Sequence, residues 1–262
     1  MPNEFWNEVR RTAAAAPRAA LNLILPPLCP ITGERVAAPG LLSAGGWSAL
    51  QFIDDPVCAR CGAPFAHEED AGAECAACIA DPPAFDRARA AILYVKDRDH
   101  PSHKLIVAFK HSDRTELAAL LAGWLARTAK PLLRAETILI PCPLHSLRLL
   151  RRRYNQAALL ALALSEAVRI QVAHDVLVRS RATAPQQGLS ADARRRNVQG
   201  AFIVPEGKRG KIAGRHIVVV DDVLTTGATL SACARALKKA GAATVDALVL
   251  ARVSRSGVAA LG

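Results

Sequence analysis

Aromatic residues, acidic residues and long apolar runs are all scarce in this 262-residue chain. Only 4% of the residues are Phe, Trp or Tyr, which argues against a protein that holds nucleic-acid single strands by stacking many bases on rings. No stretch approaches the roughly 20 apolar residues that a bilayer requires, so we expect no membrane span. With 51% hydrophobic and 22% charged residues, the composition is typical of a folded globular protein.

Basic residues outnumber acidic ones by 34 to 23, which gives a formal net charge of +11. The excess is concentrated in three stretches, Arg148–Gln156, Arg179–Thr183 and Ala193–Asn197. Such a patch favours polyanionic partners, either nucleic acid or small substrates that carry phosphate, and plain solubility is the alternative.

The first residues resemble a signal peptide only superficially, because Glu4 and Glu8 occupy the region that would be basic and Pro17 interrupts the apolar part. We expect a short amphipathic helix that packs on the body. Seven cysteines in a chain without a clear secretion signal indicate reduced thiols and metal rather than disulfides, and hence a cytoplasmic protein.

Four of the cysteines form two pairs, "CARC" and "CAAC", separated by 13 residues. Two such pairs can close a tetrahedral zinc site that leaves no position for water or substrate, so we predict a structural ion. Because this segment has little apolar periodicity, metal binding would supply its folding energy. The predicted ligands are Cys58, Cys61, Cys75 and Cys78.

Two other residues near this site have alternative interpretations. His67 lies between the cysteine pairs and either replaces one thiolate or is an exposed loop residue. Cys29 has no second cysteine three positions later and is interpreted as a small buried residue. The prolines of "DPPAFDRARA" predict a boundary near residue 84. We therefore expect an N-terminal helix and zinc-binding domain over 1–84 and a second domain over 85–262.

The second domain alternates short apolar runs with segments of helical spacing, which predicts an α/β fold with a mostly parallel sheet flanked by helices. In such sheets ligands bind beyond the carboxyl ends of the strands. The predicted strands are Ala90–Val95, Thr137–Pro143, His216–Asp222 and Val245–Arg252. The predicted helices are Ser102–Lys110, Arg114–Thr128, Asn155–Arg169 and Thr229–Ala240, with Gly241 as a C-cap.

The segment "IVVVDDVLTTGAT", Ile217–Thr229, combines a strand, two carboxylates and a turn of small residues before a helix. We expect the turn to span Asp221–Ala228. Free amides at the helix start and the threonine hydroxyls can bind a phosphate, while Gly227 lets the backbone approach it closely. Asp221 and Asp222 can accept hydrogen bonds from the hydroxyls of a ribose, with Mg²⁺ offsetting the remaining charge. A polar turn that merely caps a helix would not explain this combination.

This motif resembles the phosphoribosyl pyrophosphate binding motif of type I phosphoribosyltransferases. Four further stretches extend the resemblance over nearly the whole chain: "LPPLCP", the two cysteine pairs, "RRRYNQAALLA" after "IPCPLH", and "RATAPQQGLSADARRRNVQGAF". Together they are similar to the competence protein F family, phosphoribosyltransferase-like proteins with zinc knuckles that are linked to DNA uptake. Relatives commonly have "RGFNQ", whereas this chain has Arg153 in place of the glycine.

The resemblance implies roles for individual residues. Asp221 and Asp222 would be the catalytic carboxylates on the ribose and metal side. The loop for the 5′-phosphate would consist of Thr225, Thr226, Gly227, Ala228 and Thr229. The loop that receives pyrophosphate would include Cys142, Pro143 and Leu144. Independently of the resemblance, the charge of pyrophosphate makes Lys110, Arg152, Arg153, Arg194 and Arg195 candidates for that side of the site, and the alternative for each is a solvated charge or helix-face residue. Arg194 and Arg195 would lie on a segment that closes over the site like a lid.

Phosphoribosyl transfer breaks the bond from the anomeric carbon to pyrophosphate, so cations and Mg²⁺ should stabilise the leaving group. His145 is either a proton carrier or a loop histidine with a local hydrogen bond, and Cys142 is interpreted as a packed thiol. The predicted function is binding of phosphoribosyl pyrophosphate with Mg²⁺ and transfer of the phosphoribosyl group in a DNA-uptake context. The alternative is a non-catalytic adaptor that binds single-stranded DNA or a competence helicase.

Overall fold

A computed structural model describes residues 26–67, 69–70, 72–111, 114–144, 154–183 and 190–253. The expected N-terminal helix, His145, Arg152 and Arg153 lie outside these residues. Within them, no helix is long and apolar enough to cross a membrane.

Four parallel strands form the central sheet in the order β1 (Ala88–Tyr94), β6 (Thr244–Val253), β5 (His216–Leu224) and β2 (Thr137–Pro141). Each is a short run dominated by apolar residues, the pattern of strands that are buried on both faces. A two-stranded antiparallel ribbon, β3 with β4, lies outside this sheet. The strands are β1 (Ala88–Tyr94), β2 (Thr137–Pro141), β3 (Val178–Arg179), β4 (Phe202–Ile203), β5 (His216–Leu224) and β6 (Thr244–Val253).

Seven α-helices and one 3₁₀ helix lie within the described residues. Most of the longer ones join successive strands of the sheet. The α-helices are α1 (Ala44–Ser48), α2 (Ala76–Ala80), α3 (Pro101–His111), α4 (Leu117–Ala129), α5 (Gln156–Val168), α6 (Ala191–Val198) and α7 (Ala228–Lys239), and the 3₁₀ helix is Glu206–Lys211.

The side chains of β5 alternate between two separate cores. Val218 and Val220 pack with residues of α3, α4 and α5, whereas Ile217 and Val219 pack with residues of α7. The sheet is therefore covered by helices on both faces, which confirms the predicted fold class.

The end of β5 differs from the expectation that Asp221 begins a turn. The pairing with β6 continues through Asp221 to Leu224, which lies opposite Arg252. The turn is therefore only three residues long, and α7 starts one residue earlier than predicted, at Ala228. The sequence prediction was wrong here because the two carboxylates look like turn residues, whereas strand length is set by a partner strand distant in sequence. The last helix ends at Lys239 and its C-cap is Ala240 rather than the predicted Gly241, which follows with a φ of +104°.

The N-terminal segment packs against the sheet. Phe52 forms a bridge to Ile92 of β1, and the Ile53 amide donates to the Ala91 carbonyl at 3.0 Å. Cys29 is 2% exposed and belongs to the core on that face, as expected for a small buried residue. The boundary near residue 84 stays a prediction.

Candidate functional site

A cleft of about 460 Å³ opens at the carboxyl ends of the strands. The ends of β1 and β5, the loop after β2, one side of α3 and the start of α7 all contribute residues to its walls. This is the position at which parallel α/β sheets bind ligands. Among the predicted site residues, those that line the cleft are Lys110, Cys142, Pro143, Leu144, Arg194, Asp221, Asp222, Thr225, Gly227, Ala228 and Thr229.

Two adjacent carboxylates lie at the end of β5. Asp221 Oδ1 accepts a hydrogen bond from the Asp222 amide at 2.8 Å, and Asp222 Oδ2 lies 3.0 Å from Lys110 Nζ. Burial, followed by the neighbouring Asp222 charge, raises the pKa of Asp221 to about 7. One carboxylate is thus balanced by a lysine, while the other is held where ionisation is unfavourable unless a further cation is present.

The turn between β5 and α7 has the conformation that an anion-binding loop requires. Gly227 has a φ of +83° and is the N-cap of α7, and the Ala228 amide lies 3.5 Å from Thr226 Oγ1. The amides at the start of a helix and the helix dipole favour a negatively charged ligand. A Cβ at Gly227 would make only ordinary contacts, with the Phe85 ring at 3.5 Å and Leu224 Cδ1 at 3.6 Å, so the glycine is needed for its backbone angle rather than for space.

The loop after β2 forms another wall. The Cys142 amide continues the sheet by donating to the Val220 carbonyl at 2.8 Å, and Asn155 Nδ2 donates to the Cys142 carbonyl at 3.1 Å. The Cys142 thiol is 5% exposed and lies 3.9 Å from the Cys233 thiol of α7. Its contact with Cys233, together with burial, raises the pKa of Cys142 well above the usual value. The thiol therefore stays neutral and packs against its neighbours.

The predicted cationic residues do not all line the same cavity. Lys110 and Arg194 line the cleft, whereas Arg195 lines a smaller cavity of about 130 Å³ on the side of the cysteine cluster, together with Thr226. There Arg195 pairs with Asp81 and with Asp192 of its own helix. Both arginines lie on helix α6, which is the segment that we expected to act as a lid.

Besides several apolar residues, the cleft is lined by four residues with polar or charged groups that were not predicted from the sequence: Tyr94, Lys96, His103 and Arg179. Tyr94 Oη lies 3.0 Å from His103 Nδ1, and the Arg179 guanidinium lies over the Phe202 ring at 5.3 Å from its centroid. A signal existed for His103, because it lies seven residues before Lys110 and so faces the same side of a helix. No comparable sequence pattern identified Tyr94, which is the last residue of β1.

The four predicted zinc ligands converge. The sulfurs of Cys58, Cys61, Cys75 and Cys78 all lie within 4.8 Å of one another. The separation of the Cys61 and Cys75 sulfurs is 3.7 Å, close to the roughly 3.8 Å edge of a tetrahedron with Zn–S bonds of 2.3 Å. The donor set therefore fits a structural zinc ion. His67 is not part of this group.

Amides and arginines surround the cluster. The amides of Cys61 and Cys75 approach the Cys58 sulfur at 3.4 and 3.3 Å. Arg252 is 2% exposed and donates from Nη1 to the Cys61 carbonyl, so a positive charge is buried beside the thiolates. Four thiolates around one zinc carry a net negative charge, which such donors offset.

Comparison with known proteins agrees with this architecture. A double zinc ribbon domain model matches residues 20–79, and a phosphoribosyl transferase domain model matches residues 126–259. The DNA utilization protein YhgH of Escherichia coli O157:H7 is 36% identical over 222 residues, which cover 80% of this chain and 93% of that protein. Competence protein F of Haemophilus influenzae is 33% identical over 207 residues, which cover 77% and 87%.

Among solved structures, the glutamine phosphoribosylpyrophosphate amidotransferase of B. subtilis is similar at 17% identity and a TM-score of 0.38, covering 55% of this chain and 30% of that one. The two domain models and the relatives that match most of its length show that the chain belongs to the competence protein F family, as a double zinc ribbon joined to a phosphoribosyltransferase domain.

Proposed function

We propose that this protein binds phosphoribosyl pyrophosphate with Mg²⁺ in the cleft and transfers the phosphoribosyl group to an acceptor. The observation that carries the proposal is the placement of Asp221 and Asp222 beside the amide-rich turn at Gly227, in one cavity. The turn supplies donors for the 5′-phosphate and the carboxylates supply acceptors for two ribose hydroxyls. The phosphoribosyl transferase domain match supports the same assignment.

The acidic pair fits a hard divalent cation. Mg²⁺ prefers carboxylate and water oxygens and often reaches a site through one or two carboxylates and the phosphates of a substrate. Asp221 and Asp222 would hold it here. When bound, Mg²⁺ supplies positive charge to the leaving pyrophosphate and to the carboxylates themselves.

Residues of the chain would perform the remaining tasks. The loop of Cys142, Pro143 and Leu144 lies in the same cleft, and the Leu144 amide would donate to the pyrophosphate. Lys110 and Arg194 add positive charge there. Fixing the sugar between the phosphate loop and the carboxylates orients the anomeric carbon for in-line attack, which is a large part of what such an enzyme needs to do.

The setting of the proposed reaction is DNA uptake in the cytoplasm. Relatives over most of the chain are named competence protein F and DNA utilization protein. We propose that the phosphoribosyl transfer serves that process.

Calorimetry with phosphoribosyl pyrophosphate and Mg²⁺ tests the proposal. The wild type should show saturable binding that is lost in the double variant Asp221→Asn, Asp222→Asn. Asp175→Asn is the matched control, because that exposed carboxylate binds Lys208 and Lys211 away from the cleft. Absence of binding by the wild type contradicts the proposal.

A second candidate is an adaptor that binds single-stranded DNA or a competence helicase without catalysis. It is favoured by an aromatic group in which Trp47 is 46% exposed and packs against Phe52 and Trp124, with Arg127 over the Phe52 ring. Exposed rings beside arginine can stack bases. Salt-sensitive retention of an unstructured oligonucleotide that Trp47→Ala weakens, together with no binding of the sugar phosphate, would favour this candidate.

A further inference from the structure

One wall of the cleft carries a tyrosine–histidine pair that the proposed binding of the sugar phosphate does not use. Tyr94 ends β1, and His103 lies in the first turn of α3. Their rings are stacked, with centroids 5.9 Å apart and 23° between the planes, and Tyr94 Oη lies 3.0 Å from His103 Nδ1. Both side chains line the cleft and are half-buried. The tyrosine thus engages one ring nitrogen and leaves Nε2 for another partner.

The helix sets the distance between this pair and the carboxylates. His103 and Lys110 lie seven residues apart on one side of α3, which corresponds to about 10 Å along the axis. Lys110 in turn contacts Asp222 at 3.0 Å. A span of this size leaves room for a ring-sized molecule next to a ribose held by Asp222.

The surface between the two ends is apolar. Val107 lies on the same side of α3, lines the cleft and is 37% exposed, whereas its neighbour Ile106 is buried. Together with the Tyr94 ring, Val107 offers an apolar contact. Lys96 and Lys110 also line the cleft, so a cationic amine would be repelled there. These features favour a flat, neutral molecule.

A neutral nitrogen nucleophile must lose a proton when it is alkylated, so the cleft needs a proton acceptor. Asp222 is paired with Lys110, and burial raises the pKa of Tyr94, which keeps the phenol neutral. His103 lies on this wall, and an imidazole nitrogen can accept the proton. When Nδ1–H donates to Tyr94 Oη, the lone pair of Nε2 is available.

We propose that His103, oriented by Tyr94, accepts the proton of a flat, neutral N–H acceptor that occupies this wall. The proposal rests on the proposed function. In the step, the acceptor nitrogen forms a bond to the anomeric carbon, and the bond from that carbon to pyrophosphate breaks with its electron pair on the leaving oxygen. The N–H proton moves to His103 Nε2.

Two measurements on the full-length protein test this assignment: calorimetric binding of phosphoribosyl pyrophosphate with Mg²⁺, and pyrophosphate release with adenine, hypoxanthine or uracil as the probe. At least one probe should support release by the wild type. His103→Gln should lower kcat by about 100-fold or more while changing the affinity for the sugar phosphate by less than about twofold. The matched control is His174→Gln, at an exposed histidine outside the cleft.

Three further readouts separate proton transfer from a structural role. His103→Gln should lose the limb of the pH–rate profile that reports the base, free imidazole should restore part of the rate in His103→Ala, and Tyr94→Phe should reduce kcat less than His103→Gln does. The other charged groups of the cleft, Lys96, Lys110, Asp221 and Asp222, are unchanged in these variants.

The outcomes distinguish this proposal from the one on which it rests. If the wild type binds the sugar phosphate but no probe supports pyrophosphate release, or if His103→Gln releases it at the wild-type rate, the role of His103 is wrong and the binding site stands. If the wild type does not bind the sugar phosphate, both proposals fail.

Discussion

Lys110 Nζ lies 3.0 Å from Asp222 Oδ2, so the helix after β1 is tied to the end of β5 across the cleft. The side chains are only 20% and 15% exposed, which makes this pair less screened by water than a surface ion pair. The lysine offsets one of two adjacent carboxylates, and it lies where a pyrophosphate would need a cation. One residue therefore contributes both to the stability of the empty cleft and to the proposed binding.

Lys110→Gln should destabilise the fold and weaken binding. The variant leaves the Asp222 carboxylate partly buried and without its lysine, at a cost of about 1–2 kcal/mol in the free energy of unfolding. Urea unfolding measures the loss, and Lys104→Gln, at an exposed position of the same helix, is the control. Adding Asp222→Asn should recover part of the loss. Strictly additive effects of the two substitutions would contradict the coupling.

Asp221→Asn should stabilise the protein more as the pH rises. Folding raises the pKa of Asp221 from 3.8 to about 7, because of burial and the Asp222 charge. The folded state therefore holds a proton that the unfolded state has lost, and stability falls as the pH rises from about 4 through about 7. The substitution removes this penalty. In urea unfolding, the gain should be about 2–3 kcal/mol larger at about pH 8 than at about pH 5.

The cause of the raised Asp221 pKa can also be tested by adding the ligand to the wild type. Saturating phosphoribosyl pyrophosphate with Mg²⁺ should abolish the pH dependence in the wild type, because a bound cation favours the ionised carboxylate. Asp175→Asn, at an exposed site, should show no such pH-dependent gain. If the free energies of unfolding of the wild type and Asp221→Asn differ by the same amount across this pH range, Asp221 is ionised in the folded protein.

The zinc site should be structural. We expect one zinc per chain in metal analysis. The double variant Cys58→Ser, Cys75→Ser should reduce bound zinc toward zero and lower the melting temperature, because two of the four thiolate ligands are lost. Cys29→Ser is the control: this cysteine is buried outside the cluster, so the zinc content should not change. Normal folding of the double variant would contradict a structural role.

Local signals in the sequence predicted the sheet and the proximity of the acidic pair to the turn before α7. The four strands are runs dominated by Val, Ile, Leu and Ala, and Asp221 and Asp222 share one short motif with that turn, so neither needs knowledge of distant contacts. The end of β5 was not predicted, since it depends on pairing with β6, whose register places Leu224 opposite Arg252.

The composition of the cleft depends on the same long-range contacts. Tyr94 and His103 reach it because the ends of β1 and β5 open onto one cleft and α3 forms part of its wall, which a one-dimensional pattern does not reveal. Arg195 instead pairs with Asp81, a residue 114 positions away. Its sequence neighbour Arg194 lines the cleft, because successive residues of a helix point in different directions.

Gly227→Ala should weaken both the fold and the phosphate site. The φ of +83° costs a residue with a Cβ about 1–2 kcal/mol, while the new methyl group would touch the Phe85 ring and Leu224 at ordinary distances. Relaxing the turn would move the amides at the start of α7, so we expect about a tenfold or larger loss of affinity for phosphoribosyl pyrophosphate with Mg²⁺.

The control for this substitution is Gly123→Ala, which lies inside α4 with open space around the added methyl group. It should leave binding unchanged and stabilise the helix by up to about 1 kcal/mol. Urea unfolding and calorimetry on both variants separate the two effects. Gly227→Ala changes the backbone of this turn. If the variant loses stability yet binds the sugar phosphate as tightly as the wild type, the amides of the turn do not hold the phosphate.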